Sequence, residues 1–191
     1  MNCLISQTLR LAIVSALIHG SAFADDPLPG RVDFGKFTPS STGREFVEVH
    51  LTRHLIAMAG GLVQKSEPEV ADLLRGLQLI RVNVIGLDDK NRAEVEQRVK
   101  AIRTDLDAKG WERTVTVQQK NEDVGIYLKT RGGETVEGLV ITVLGGKGEA
   151  VLINIVGDIK PEKLAVVGER LNLNPLKQLG PALKKQTGAQ K

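Results

Sequence analysis

Two histidines, His50 and His54, have a spacing that would allow them to bind a metal ion together. On a single helix, residues four apart share a face, as the ligands of a zinc or copper site often do. The surrounding pattern instead predicts that His50 lies on a strand and His54 at the start of the following helix. A third ligand would have to be a carboxylate such as Glu48, on the strand face of His50. We expect a solvated strand edge here, with a metal site as the alternative.

Asp88 and Asp89 form a second candidate group, since paired carboxylates can hold a cation or exchange a proton. They also stand directly before a predicted helix, where an acidic side chain caps free N–H groups and interacts favourably with the helix dipole. We expect capping. A metal- or carboxylate-dependent enzyme built on Asp88 and Asp89, or on the histidine group, is the alternative.

Nucleophilic catalysis has little support in this sequence. It needs a serine, threonine or cysteine beside a base. After the first 24 residues, the serines are Ser40, Ser41 and Ser66, in an extended segment and at a helix start, and no cysteine remains. The glycine-rich stretch 145–148 lies between two predicted strands and lacks the helix of a phosphate-binding loop. We expect no cofactor and no catalytic residues.

The first 24 residues have the pattern of a secretory signal peptide. Arg10 precedes an apolar run at 11–18, and Ala22-Phe23-Ala24 forms a small-residue cleavage site. That run of about eight residues is far shorter than the roughly 20 that a membrane-spanning helix needs. We therefore expect cleavage near Ala24, a periplasmic or secreted product and no stable membrane insertion.

Composition divides the remaining chain into three parts. Residues 25–45, rich in proline and glycine, predict an extended lead-in that Phe34 and Phe37 could dock onto the body. Residues 46–172 predict a single domain, and residues 173–191 a basic, flexible tail. The formal net charge is +3 and aromatic residues make up only 3% of the chain. Nucleic-acid binding is not expected, because stacking on bases requires aromatic side chains.

Alternating and helical periods predict the order β-α-β-α-β-β-β-β-α. In the first helical region, 54–65, Leu55, Ala59 and Leu62 share a face; the clearest helix, 91–109, carries one continuous apolar stripe. The last two strands are apolar on both sides, which predicts central positions in the sheet. Because the later strands follow one another too closely for crossover helices, we expect an α+β fold, with helices on one face of a mostly antiparallel sheet.

Four segments together resemble an exported bacterial family known as domain of unknown function 4252. They are Leu28–Phe34, Leu73–Leu77, Lys109–Glu112 and Val151–Leu164, and the similarity spans about residues 45–172. The resemblance implies an exported α+β domain and a link to envelope signalling. It implies no activity, cofactor or catalytic residue.

The leading functional hypothesis is a non-catalytic binding or interaction module of the cell envelope. An exposed sheet edge could accept a strand of a protein, and an exposed apolar face could hold an apolar small molecule. A self-associating structural protein, and hence a homo-oligomer, is the second hypothesis.

Overall fold

The structure is a computed structural model that describes residues 28–120, 122–132, 135–145, 148–160 and 163. The predicted signal peptide, the last helix of the predicted order and the predicted basic tail lie outside the described residues. Within these ranges, none of the helices combines the length and the apolar composition that crossing a bilayer requires.

The described elements follow one another in the order β-α-α-β-α-β-β-β-β. They are β1 (Phe46–Thr52), α1 (Arg53–Val63), α2 (Pro68–Gly76), β2 (Leu77–Gly86), α3 (Arg92–Ala108), β3 (Glu112–Gln119), β4 (Glu122–Arg131), β5 (Thr135–Gly145) and β6 (Glu149–Ile159). The α+β class is confirmed. The helical region predicted at 54–65 corresponds to α1, and the structure has two helices between the first two strands where the predicted order has one.

The strands form one antiparallel sheet in the order β1-β2-β6-β5-β4-β3. The predicted central position of the last two strands is confirmed, because β5 and β6 lie side by side in the middle. Their side chains are buried on both sides of the sheet. A strand apolar on both sides is stable only where both faces are covered.

The sequence predicted that all helices lie on one face of the sheet, and this prediction is wrong, because the helices cover both faces. The stripe of α3 packs with Tyr127 and Leu152 in one cluster, whereas Ile56 of α1 and Leu74 of α2 pack with Ile153 in the other. The physical reason is the composition of β5 and β6, which need cover on both sides. We call the first side the α3 face and the second the aliphatic face.

Local sequence explains where α3 lies and where it ends. Its predicted stripe is confirmed, because Val95, Val99, Ile102 and Leu106 are all buried. After the helix, Gly110 adopts a φ of 71°, a left-handed conformation that terminates helices and favours glycine. The chain then turns into Trp111, which is buried in the same cluster.

The aliphatic face takes its name from two rows of side chains that cross all six strands. One row consists of Val49, Val82, Ile153, Ile141, Ile126 and Val115; the next consists of Val47, Val84, Val151, Val143, Val124 and Val117. Because β-branched side chains pack well on a pleated surface, such rows favour a stable sheet. They offer no hydrogen-bonding group to orient whatever covers them.

Candidate interaction surface

The structure does not bring His50 and His54 together. Glu48 and His50 are exposed on β1, on its α3-face side, opposite Asn83 and Arg81 of β2. His54 lies in the first turn of α1, which packs on the aliphatic face. Among the described residues, no group of three or more His, Cys, Asp or Glu side chains has the geometry of a metal site.

Asp88 forms hydrogen bonds with the lead-in and with the turn that precedes α3. Its carboxylate accepts hydrogen bonds from the backbone N–H groups of Lys90 and Asn91, at 2.9 and 3.0 Å, and from the hydroxyls of Ser40 and Thr42. These bonds, led by that from Ser40, hold the pKa of Asp88 well below its usual range. The Asp88 side chain therefore stabilises the turn before α3 and holds the lead-in against it.

A buried asparagine holds the other end of the lead-in. We call residues 28–37 the strap, since they cross the α3 face. Asn154 on β6 is fully buried; its side-chain oxygen accepts from the Val32 N–H at 2.9 Å, and its amide donates to the Gly30 carbonyl at 3.0 Å. One amide side chain thus binds the strap backbone as a neighbouring strand would.

Two glycines allow the strap to lie this close to the sheet. A Cβ on Gly138 of β5 would stand 2.5 Å from the Trp111 ring and 2.7 Å from the Gly30 Cα atom. A Cβ on Gly30 would stand 2.1 Å from the Glu137 carbonyl oxygen. All three distances are shorter than any van der Waals contact, so the crossing requires glycine on both segments.

Side chains of the strap complete the core of the α3 face. Phe34 is 1% exposed, and the Arg81 guanidinium lies over its ring at 5.6 Å from the centroid. Arg81 also donates to the Val32 carbonyl at 3.3 Å. The predicted docking of the lead-in through Phe34 is therefore observed, and Phe37 is half-buried beside the same cluster under Arg98.

Further polar groups of the α3 face lie at its β3–β4 side. Arg103 of α3 donates to both Asp123 carboxylate oxygens at 2.9 Å and to the Thr142 hydroxyl at 2.9 Å. Tyr127 is fully buried, with the Arg113 guanidinium 5.2 Å from its ring centroid. Burial raises the pKa of Tyr127, and the positive charge of Arg113 opposes that rise in part.

The aliphatic side carries exposed apolar groups at the β1 edge of the sheet. On α1, Leu55, Met58 and Leu62 are 44%, 57% and 85% exposed, and on β1, Val47 is 37% exposed. We call these four residues the α1–β1 apolar surface. The sequence placed Leu55 and Leu62 on one helical face with Ala59, but nothing in its period indicated that this face is exposed.

The packing of α1 against α2 explains the exposure. Gly60 and Ile56 are the buried residues of α1, and a Cβ on Gly60 would stand 3.6 Å from the Leu74 Cβ atom of α2. Successive residues of a helix are rotated by about 100°, so Leu55 and Leu62 project on the side opposite Gly60. Because α1 lies against β1 and β2, and α2 against β6, that side faces the border of the sheet.

Comparison with known proteins identifies one family. Residues 41–167 match the model of the family described as Domain of unknown function (DUF4252). No curated protein and no solved structure matches the chain. The match begins after the strap, although Val32 and Phe34 of the strap are buried in the core.

Proposed function

Because this chain belongs to that family, whose description states no activity, we propose its function from the structure: a non-catalytic interaction module of the cell envelope that binds protein through the α1–β1 apolar surface. The observation that carries this proposal is the exposure of Leu55, Met58 and Leu62 along one side of α1. Covering a fully exposed side chain of this kind contributes about 1.5 to 3 kcal/mol, and covering a half-exposed one contributes correspondingly less. Exposed apolar groups clustered on one element are typical of interaction sites.

A protein fits this surface better than an apolar small molecule does. Small ligands bind in concave, mostly apolar sites, whereas Met58 and Leu62 project from a convex helix. A shallow cavity of about 370 Å³ lies elsewhere, between the strap and α3. It is lined by Asp33, Arg98 and Asp105 among others, so its charged rim does not suit an apolar ligand.

The cellular location in this proposal rests on the predicted signal peptide, and the link to envelope signalling rests on the family resemblance. The location has a direct test in the mass of the protein recovered from the periplasm. Cleavage after Ala24 would give a chain that begins at Asp25. A full-length product confined to the cytoplasm would contradict the envelope role while leaving the interaction surface open to test.

Photo-crosslinking in intact cells tests the interaction role. A photoreactive phenylalanine analogue at Met58 should give discrete adducts, and the same analogue at Gln97, exposed on α3, should not. Leu62→Glu should suppress the adducts, because a charge cannot be buried without a partner. Leu62 is 85% exposed, so this change should alter the free energy of unfolding by no more than about 0.5 kcal/mol.

Ala93→Glu is the matched control, since it adds the same charge at an exposed position of α3 on the other side of the sheet. It should leave the Met58 adducts unchanged. Equal adducts from positions 58 and 97, or adducts that persist in folded Leu62→Glu, would contradict the proposed function.

A further inference from the structure

The two edges of the sheet differ in how far they are protected from pairing with another strand. At one edge, β3 contains a register shift between Arg113 and Val115, which marks a bulge. At the other, β1 pairs with β2 without a shift over seven residues. Neither of these two strands contains proline or lysine, so the bulge is what distinguishes them. Bulges and edge lysines are common devices against edge-to-edge pairing. Among the described elements, β1 is therefore the edge open to an added strand.

The sequence of β1 is complementary to itself. In an antiparallel pair of identical strands centred on Val49, Val47 faces Leu51 on the aliphatic side, and Glu48 faces His50 on the other. A pair centred on Glu48 would oppose two like charges, and a pair centred on His50 would oppose two imidazoles. A register centred between residues would place apolar side chains on the polar side.

We propose that the protein occupying this edge is a second copy of the same chain, bound through antiparallel β1 strands that meet at Val49. This inference rests on the proposed function and identifies the protein that the interaction module binds. The twofold contact is isologous, so each chain supplies the same surface. It joins two sheets into one continuous sheet and provides two Glu48–His50 pairs.

The α1–β1 apolar surface belongs to the same contact. The exposed side of α1 faces away from α2, towards the border that β1 forms, and Val47 lies on that border. A second copy along β1 carries its own α1 on the same side of the joined sheet. The strand pair thus sets the register, and the apolar side chains of both copies supply the surface to be covered.

Charge exchange on β1 tests the proposal in solution. The dimer dissociation constant of the purified exported chain is measured by sedimentation over a concentration series. His50→Glu opposes two pairs of acidic side chains and should weaken the dimer by about tenfold or more. Glu48→Lys should also weaken it. The double variant should restore it, because the lysine introduced at position 48 of one copy then faces the glutamate introduced at position 50 of the other.

Neighbouring groups do not produce the same pattern. His50 faces Arg81 of β2, which in turn contacts Asp33, and Glu48 faces Asn83. His50→Glu thus gains a favourable neighbour within its own chain, so a weaker dimer cannot be attributed to a weaker fold. Recovery in the double variant is the readout that a purely structural role would not give.

Cysteine crosslinking tests the register. With Cys3, the chain's single cysteine, changed to serine, Val49→Cys should form a disulfide between copies. Directly opposed Cα atoms are about 4.5 to 5.5 Å apart, which a disulfide spans. Val47→Cys is the control, because two Val47 positions lie about 13 Å apart along the strands.

A monomer at all concentrations, equal crosslinking of both cysteine variants, or no recovery in the charge exchange would overturn the proposal. The proposed function fails by a different result. If the chain is monomeric but Met58 still gives adducts that Leu62→Glu removes, then the interaction role stands with another protein as partner.

Discussion

The aliphatic face and the α3 face are formed by the same six strands with different side chains. On the aliphatic face, one row consists of valine on every strand. On the α3 face, the same strands carry Thr142 and Asn154, both buried and hydrogen-bonded. Apolar burial is non-directional and accepts any apolar surface, whereas a buried amide requires a partner in a defined position.

This difference separates two tasks within one domain. The side-chain amide of Asn154 fixes the strap on the α3 face, because its oxygen and its nitrogen both form hydrogen bonds with strap backbone. The two aliphatic rows of the other face contain no hydrogen-bonding side chain of this kind, and at the border formed by β1 and α1 apolar groups are exposed. Specific contacts within the chain thus lie on one side, and the surface that we propose for contacts with another chain lies on the other.

Asn154→Leu should have the largest effect on this comparison. Leucine fills a similar volume but leaves the Val32 N–H and the Gly30 carbonyl buried without partners, which should lower the free energy of unfolding by about 3 kcal/mol. Chemical denaturation measures the loss. Hydrogen exchange should show that the strap amides, residues 30–34, lose protection before the central strands do.

Ile155→Val on the same strand is the matched control, because residue 155 faces the aliphatic side. Removing one buried methylene there should cost about 1 kcal/mol, with no selective exposure of the strap. If folded Asn154→Leu kept its strap amides protected and lost no more stability than Ile155→Val, the strap would be held by apolar contacts alone.

Local patterns predicted the elements but not their distribution over the two faces. Strands apolar on both sides identified β5 and β6 as central, and the apolar stripe of α3 was correct. The strap was predicted to dock through Phe34 but not where, since Val32 and Asn154 are 122 residues apart and no periodicity encodes that contact. For the same reason, the period of a helix identifies its apolar side but not the sheet face that it covers.

The candidate surface shows the same limit. The period of α1 groups Leu55 with Leu62, but it does not indicate whether that side of the helix is buried or exposed. In the structure Gly60 and Ile56 face inward, with Gly60 beside Leu74 of α2, so the opposite side of α1 faces outward. The self-complementary order of β1 is readable in the sequence, but its meaning depends on β1 being an edge strand, which is a property of the assembled sheet.

Tyr127→Phe tests whether every buried polar group of the α3 face contributes to stability, as Asn154 is expected to do. The Tyr127 hydroxyl has no hydrogen-bond partner among the described residues, although the side chain is fully buried. Removing it should leave stability unchanged or raise it by up to about 1 kcal/mol, because a buried unpaired hydroxyl is itself unfavourable. A loss of more than that amount on denaturation would show that the hydroxyl holds a bond.

The pKa of Tyr127 gives a second measurement on the same residue. Burial raises this pKa in the folded chain, so the unfolded chain loses its proton first as pH rises. Stability should therefore fall above about pH 10, the usual pKa of tyrosine, until the folded pKa is reached. Tyr127 is the chain's one tyrosine, so its ultraviolet titration is free of overlap and Tyr127→Phe should remove this part of the alkaline loss.

Asp88→Asn should have the smallest effect, and it tests the second attachment of the lead-in. Hydrogen bonds from Ser40 and from the backbone before α3 lower the pKa of Asp88 in the folded chain, so the unfolded chain takes up a proton first. The stability from this carboxylate should be complete above about pH 4, the usual pKa of aspartate, and should decline as pH falls towards the folded pKa.

The acid-induced change should begin at Ser40 and Thr42, because these side chains depend on the charged carboxylate, whereas the bonds of Asn154 are insensitive to pH. Hydrogen exchange near pH 3 should show weaker protection around Thr42 than around Val32. Asp88→Asn should show that difference already at neutral pH and should have a flatter stability curve below pH 4. Equal curves for both proteins would mean that the strap and its buried amide alone hold the lead-in on the α3 face.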